Sequence, residues 1–301
     1  MEFHNDFSSD ISGLKKNIWK KEIIIGIIFS ILVISLILII IVVSVSSSNS
    51  SEKDKDKEEE KEKAELGIIK CSYDIQSTSY EIPILGEQCK NDLDLDIYIE
   101  GEKIIYTKSY KFKQSKMYEI KFKLYGDINM DYMFQNISSL VSLEMKSDKN
   151  IKIKSMISAF ENCNNLQLFS IEGFNTNEIK SLHKLFYNNT LISNINLKNI
   201  NISSIEDMSY MFYNCSSLSS INLLSINTSH VKNMSNIFSG CSSLSFLDLN
   251  NFDTNKVEDM SFMFHNCITL DNLTINSFDT KLVKDMSYMF SSCSYLSSLD
   301  L

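Results

Sequence analysis

The chain has 301 residues, with 29 basic and 38 acidic side chains and a formal net charge of −9. That balance argues against a general phosphate-binding surface, so no nucleic-acid partner is expected. With 8 Gly and 1 Pro, collagen-like and proline-rich classes are excluded and no glycine-rich phosphate loop remains.

Residues 1–22 carry Lys15, Lys16, Lys20 and Lys21 with Trp19 among them. Ile23 to Val45 follows, 23 residues without a charge. As a helix rising ~1.5 Å per residue it would cover ~34 Å, enough for a hydrocarbon core of ~30 Å. The sequence therefore predicts a single transmembrane helix over 23–45. The lysines close to its N-terminal side favour a cytosolic tail, with the rest of the chain extracellular and the protein a single-pass component of the cell membrane. The span exceeds the usual apolar region of a cleaved leader, so an uncleaved signal-anchor is the preferred reading. Residues 46–66 are polar, low in complexity and dense in Glu and Lys, which predicts a solvated stalk.

Residues 67–127 read as a small β-rich cap region. Leu93, Leu95, Ile97 and Ile99 alternate with Asp94, Asp96 and Tyr98, and Tyr118, Ile120, Phe122 and Leu124 alternate with Glu119, Lys121 and Lys123. This period of two is that of half-buried strands. Asp92, Asp94 and Asp96 do not form a calcium loop, because Ile97 and Lys103 stand where such a loop needs Gly and Glu. Cys71 and Cys89 lie 18 apart and, in an exported domain, would most simply bond to each other.

From 128 to 301 one period governs the sequence. Phe134, Phe160, Phe186, Phe212, Phe238, Phe264 and Phe290 are spaced by 26 each time. In phase with them run columns such as Met208, Met234, Met260 (four before), Leu218, Leu244, Leu270 (six after) and Leu223, Leu249, Ile275 (eleven after). Repeats of 20–29 residues with an L-x-x-L-x-L core predict a solenoid of about seven coils, the last incomplete at Leu301. Each coil would offer one short parallel strand and, at the D/N-M-S-x-x-F stretch, a turn of α- or 3₁₀-helix capped by Asp207, Asn233, Asp259, Asp285 or the Ser two residues on. The expected fold is thus a single transmembrane helix followed by a β-rich cap and an α/β leucine-rich-repeat-like solenoid. The Met and Phe columns are its core and not a cofactor box; no cofactor and no metal is expected.

The segments DMSYMFYNCSSLSSINL at 207–223 and DMSYMFSSCSYLSSLDL at 285–301 resemble the BspA-like surface-protein repeats, relatives of the leucine-rich repeats. The resemblance covers about 130–301 and is looser in the first three coils, where Asn189 replaces the usual Cys. It implies a solenoid ectodomain used in adhesion or host-surface interaction, and brings no catalytic residues.

Cys163, Cys215, Cys241, Cys267 and Cys293 form one column. They lack the paired spacing of a metal site, and buried free thiols are favoured over bonds between coils. Sequons occur at Asn49, Asn136, Asn188, Asn201, Asn214, Asn227, Asn233 and Asn272, a slight excess over chance; Asn136, Asn188, Asn201, Asn227, Asn233 and Asn272 are candidate glycosylation sites. The residues pointing off the strands form the candidate ligand face: Glu144, Glu172, Asn196, Lys198, Asn222, Asp248, Asn250, Thr274 and Asn276. Enzyme signatures fail individually, with no H-E-x-x-H, G-x-S-x-G or Walker loop. The expected function is non-enzymatic: adhesion to, or recognition of, an extracellular protein or glycan. The alternatives are a coat or matrix protein assembling through solenoid ends and a membrane-anchored scaffold facing the cytosol; no capping repeat follows Leu301, which is expected of a truncated sequence rather than of an open end that pairs with another chain.

Overall fold

The computed structural model describes residues 63–297 and 299, apart from 198–199, 201–202 and 224–225. Its first part is a set of strands whose alternating burial follows their period-two sequence. The strands are β1 (Gly67–Asp74), β2 (Ile82–Pro83), β3 (Leu95–Ile99), β4 (Glu102–Ile104), β5 (Ser109–Tyr110) and β6 (Met117–Leu124). Ile69, Cys71 and Tyr73 of β1, and Tyr118, Ile120, Phe122 and Leu124 of β6, turn inward while their neighbours meet solvent. The following strands are β7 (Ile128–Asn129), β8 (Leu140–Lys146), β9 (Ile153–Ser155), β10 (Leu168–Glu172), β11 (Asn194–Asn196), β12 (Ser220–Asn222), β13 (Phe246–Asp248) and β14 (Asn272–Thr274).

The two parts share one six-stranded sheet, ordered β10-β8-β1-β6-β3-β4. Strand β1 pairs antiparallel with β6 on one side and with β8 on the other, so Cys71 stands between Ile120 and Leu143. This covers the edge of the first coil, which would otherwise present unpaired backbone groups. Beyond β8 the pairing is parallel: Phe169 lies beside Leu143, Ile195 beside Ile221, and Leu247 beside Leu273. A second parallel column of single bridges joins Ser181, Asp207, Asn233, Asp259 and Asp285. Gly173 (φ +76°) marks a close approach after β10, where an added Cβ would lie 1.8 Å from the Ser147 carbonyl oxygen.

The seven period-setting phenylalanines form one ladder. Successive ring centroids from Phe134 to Phe290 are 5.7, 5.4, 6.0, 5.7, 5.9 and 5.5 Å apart, with planes within 13° of parallel. The cap joins it through Phe122, which meets Phe134 edge-on at 5.7 Å. Burying each ring from Phe134 to Phe264 contributes about 1.5–3 kcal/mol, the partly buried Phe290 less, and neighbouring aromatic contacts about 0.5–1.5 kcal/mol more.

The fold class requires correction. The described residues form a β-solenoid with no helix, not an α/β solenoid. The reason lies in where the backbone donors go. In the fourth coil Tyr210, Phe212 and Asn214 donate their N–H groups onward, to the carbonyls of Ser235, Ile237 and Ser239 in the next coil (3.0, 2.9 and 2.7 Å). The intervening Met211, Tyr213 and Cys215 donate three residues back, to Met208, Tyr210 and Phe212. An α-helix would commit all these donors to its own carbonyls four residues back. Tyr210 and Asn214 are moreover left-handed (φ 59° and 55°), as are the residues at the same two places in every other coil. A right-handed helix cannot hold them. The expected caps keep their role without a helix: the Oδ1 atoms of Asp207, Asn233, Asp259 and Asp285 each accept the N–H of the serine two residues on, at 2.8–2.9 Å.

The membrane assignment is corrected as well. Among the described residues no helix is long and apolar enough to cross a membrane. The tail at 1–22, the span at 23–45 and the stalk up to residue 62 lie outside the described residues. The transmembrane helix, the signal-anchor, the membrane as partner and the single-pass placement therefore have no structural support and are set aside.

Candidate functional site

The coil strands turn alternate residues inward, buried except for the half-buried Ile221 of β12, and turn the flanking ones outward. On β10, Phe169 and Ile171 are buried while Leu168, Ser170 and Glu172 are exposed; on β13, Leu247 is buried between exposed Phe246 and Asp248. Six such strands, β8 and β10 to β14, lie side by side at ~4.8 Å per step, a strip about 24 Å long. Glu144, Glu172, Asn196, Asn222, Asp248 and Thr274 lie on these strands, Asn250 and Asn276 lie two residues past the ends of β13 and β14, and Lys198 lies outside the described residues. Glu144 pairs with Lys146 at 2.7 Å, and this hydrogen-bonded ammonium holds the carboxyl below its ordinary range. The Asp248 Oδ1 accepts the Asn250 N–H at 3.0 Å. Two apolar side chains missed by the sequence reading stand in the same strip: Leu168 is 68% exposed and Phe246 54%. They are three coils, roughly 14 Å, apart. A depression beside Leu168 is walled by Ser142, Glu144, Asn194 and Asn196. The missed signal is the residue before each buried strand position, which is polar in most coils and apolar in these two.

The opposite turns carry a second ordered surface. Tyr187 and Tyr213 stack at 4.7 Å, Tyr210 leans against both, and Lys184 lies 5.1 Å from the Tyr187 ring centre. Two coils on, Phe262 stacks on Tyr288 at 4.8 Å. The sequence signal was the tyrosine recurring two before and one after the ladder phenylalanine, hidden by the expectation of a helix there.

His183, Ser209 and Asp207 come together on these turns. His183 Nδ1 is 2.7 Å from Ser209 Oγ, and Ser209 Oγ–H donates to Asp207 Oδ1 at 2.7 Å. The serine proton thus goes to the aspartate and His183 supplies the donor, the reverse of a nucleophile activated by an imidazole base. Ser209 is also only 2% exposed. In the next coil Ser235 makes the same bond to Asn233 Oδ1, at 2.8 Å, so the arrangement belongs to the turn. Burial lowers the His183 pKa, opposed by the nearby Asp207 carboxylate. No group of three or more His, Cys, Asp or Glu among the described residues could hold a metal ion.

All seven cysteines are free thiols, so the expected Cys71–Cys89 bond is not formed. Cys71 sits in the middle of β1 beside Cys163, and Cys89 beside Lys108 and Asp92. In the column, each thiol donates to the carbonyl of the ladder phenylalanine one coil back: Cys163 to Phe134, Cys215 to Phe186, Cys241 to Phe212, Cys267 to Phe238 and Cys293 to Phe264, at 2.9–3.2 Å. That bond fixes the thiol side of the turn and explains why one cysteine per coil recurs.

The sequon asparagines serve different ends. Asn136 and Asn188 belong to an amide ladder: Asn162 donates to Asn136, Asn188 to Asn162 and Asn214 to Asn188, at 2.6–3.0 Å. Their left-handed backbone is one that asparagine tolerates better than most residues. Asn227 and Asn233 hold turns through Oδ1, Asn272 is exposed on β14, and Asn201 lies outside the described residues.

The coils, at residues 128–245 and 220–300, match the profile of a family described as Mycoplasma protein of unknown function, DUF285. The two matches together span more than half of the chain. The chain belongs to the DUF285 family. Residues 67–127 lie outside the match, and the match does not itself confirm the BspA-like family expected from the repeats. No curated protein and no solved structure matches the chain.

Proposed function

We propose that this DUF285 chain is a non-enzymatic recognition or adhesion module that binds a protein or glycan through the outer strip of its coil strands. The observation that carries the reading is the pairing of a rigid strip with two uncovered apolar anchors. Leu168 and Phe246 stand out among amides and carboxylates that can make hydrogen bonds on either side. A core of stacked rings and inter-coil hydrogen bonds holds the strip in place, so little ordering cost attends binding. The resemblance of the repeats to BspA-like surface proteins points the same way. Glu172, Asn196, Asn222, Asp248, Asn250 and Asn276 supply polar contacts around the two anchors, with Glu144, Lys198 and Thr274 beside them.

The test is to screen the full chain on a glycan array and against immobilised extracellular-matrix proteins, then to compare Leu168→Asp and Phe246→Asp with the parent. Both side chains face solvent, so the substitutions should leave the melting temperature unchanged. Each is expected to weaken binding by about tenfold or more, as removal of an interface anchor does. Absence of any partner, or a partner whose binding neither substitution alters, would defeat the reading.

A further inference from the structure

We infer that the junction between the cap and the first coil holds a second binding site, one for a single neutral sugar ring. It does not depend on the strand strip. A cleft of about 180 Å³, open to solvent, lies where the β1–β2 loop crosses the first coil. It is smaller than the sites of drug-sized ligands, about 300–1,000 Å³, and so limits an occupant to one small ring. Its walls are held firmly. Asp74 N–H donates to Ser139 O at 2.8 Å, Gly86 N–H to Met133 O at 2.8 Å, and Tyr73 Oη–H to Ile84 O at 2.7 Å. At Gly86 the two parts approach so closely that an added Cβ would sit 2.0 Å from the Tyr132 carbonyl oxygen.

The lining combines one aromatic plate with unspent polar groups. Tyr80 is 59% exposed at the mouth, next to Pro83. Asn136 begins the amide ladder: its Oδ1 accepts from Asn162, while its own Nδ2 donates to no other coil. Asp74 accepts from Gln76 at 2.7 Å through Oδ2, which leaves Oδ1 for a ligand hydroxyl. The Ser139 hydroxyl, at the wall, is buried with no hydrogen-bond partner.

These groups select the chemistry. No Lys or Arg lines the cleft, so a phosphate or carboxylate would find no counter-charge, and the lone Asp74 carboxylate repels it. A lone carboxylate also falls short of the oxygen set that a hard cation needs. Amide, carboxylate and hydroxyl groups together match a ligand offering both donors and acceptors. The ring of Tyr80 offers an apolar face with a polar tip, suited to the C–H face of a pyranose.

The experiment is saturation-transfer NMR on the full chain with glucose, galactose, mannose and N-acetylglucosamine, followed by titration of any sugar that responds. Glucose 6-phosphate serves as the charged comparison. At least one neutral sugar should bind with a dissociation constant on the order of 1 mM. Tyr80→Ala and Asp74→Asn should each weaken it about tenfold or more, with melting temperature unchanged, whereas Phe246→Asp should not alter it. Silence from all four sugars, full binding in both cleft variants, or preference for the phosphorylated sugar would overturn the inference. Loss with Phe246→Asp alone would move the sugar to the strand strip, against this site and in favour of the other.

Discussion

Asn189 occupies the place where the other described coils from Phe160 onward carry a cysteine, and it copies half of the thiol's role. Its Nδ2 donates to Phe160 O at 2.7 Å, the same contact that Cys215 makes to Phe186, but its Oδ1 is buried without a partner. An unsatisfied buried acceptor costs about 1–3 kcal/mol, more than the weaker thiol donor forfeits. Asn189→Cys is therefore expected to stabilise the protein by about 1 kcal/mol, raising the melting temperature by ~2–4 °C in a thermal melt. A lower melting temperature would mean that the amide bond to Phe160 outweighs the orphaned oxygen. The exception at this position was visible in the sequence. Its cost was not, because only the packed coil shows which atom of the amide lacks a partner.

Between the strands and the turns runs a column of alternating charge that the sequence reading passed over. Glu206 meets Lys232 at 2.8 Å and Glu258 meets Lys284 at 2.5 Å, each partner 26 residues away in the next coil. The hydrogen bond from Lys232 lowers the Glu206 pKa, and the Glu206 carboxylate in turn raises that of Lys232. A carboxyl with a lowered pKa adds stability above its unfolded value of about 4.3 and loses it as pH falls through the lower folded value. Both pairs are exposed, so their effect is small and screened by salt. Their larger role is to set register, since a slipped coil would place like charges together. Glu206→Lys should lower the melting temperature at low salt. The difference should shrink at high salt and below pH 4, and Glu206→Lys with Lys232→Glu should recover part of it. A loss independent of salt would show that the column acts through packing instead. The spacing of 26 made these contacts readable in principle, but the apolar columns alone carried the sequence argument.

Over the whole molecule the coils form a one-dimensional stack joined at one end to the cap sheet, and protection should follow position along it. Burial pushes the Cys215 thiol up to about 12, and raises those of Cys71, Cys163, Cys241 and Cys267. Burial raises the Cys293 thiol as well, but this side chain is only half-buried and less shielded from solvent. Alkylation requires the thiolate and access to it. Iodoacetamide at pH 8 should therefore modify Cys293 first, and leave Cys163, Cys215 and Cys241 unmodified until denaturant unfolds the stack, as read by peptide mass spectrometry. Equal labelling of all five column thiols in the native state would contradict the packed coil described above.

The sequence by itself determined that the chain coils: apolar columns repeated every 26 residues cannot be buried by one coil and must be buried by its neighbours, and the ladder from Phe134 to Phe290 is the result. The tertiary structure decided what the turns are. The stretch around Tyr210 and Asn214 has the composition of a capped helix, but half of its N–H donors find acceptors in the next coil, and a destination 25 residues away leaves no trace in local propensity. For the same reason only the folded chain shows free thiols in place of a Cys71–Cys89 bond, and a cleft assembled from Tyr80, Asp74 and Asn136.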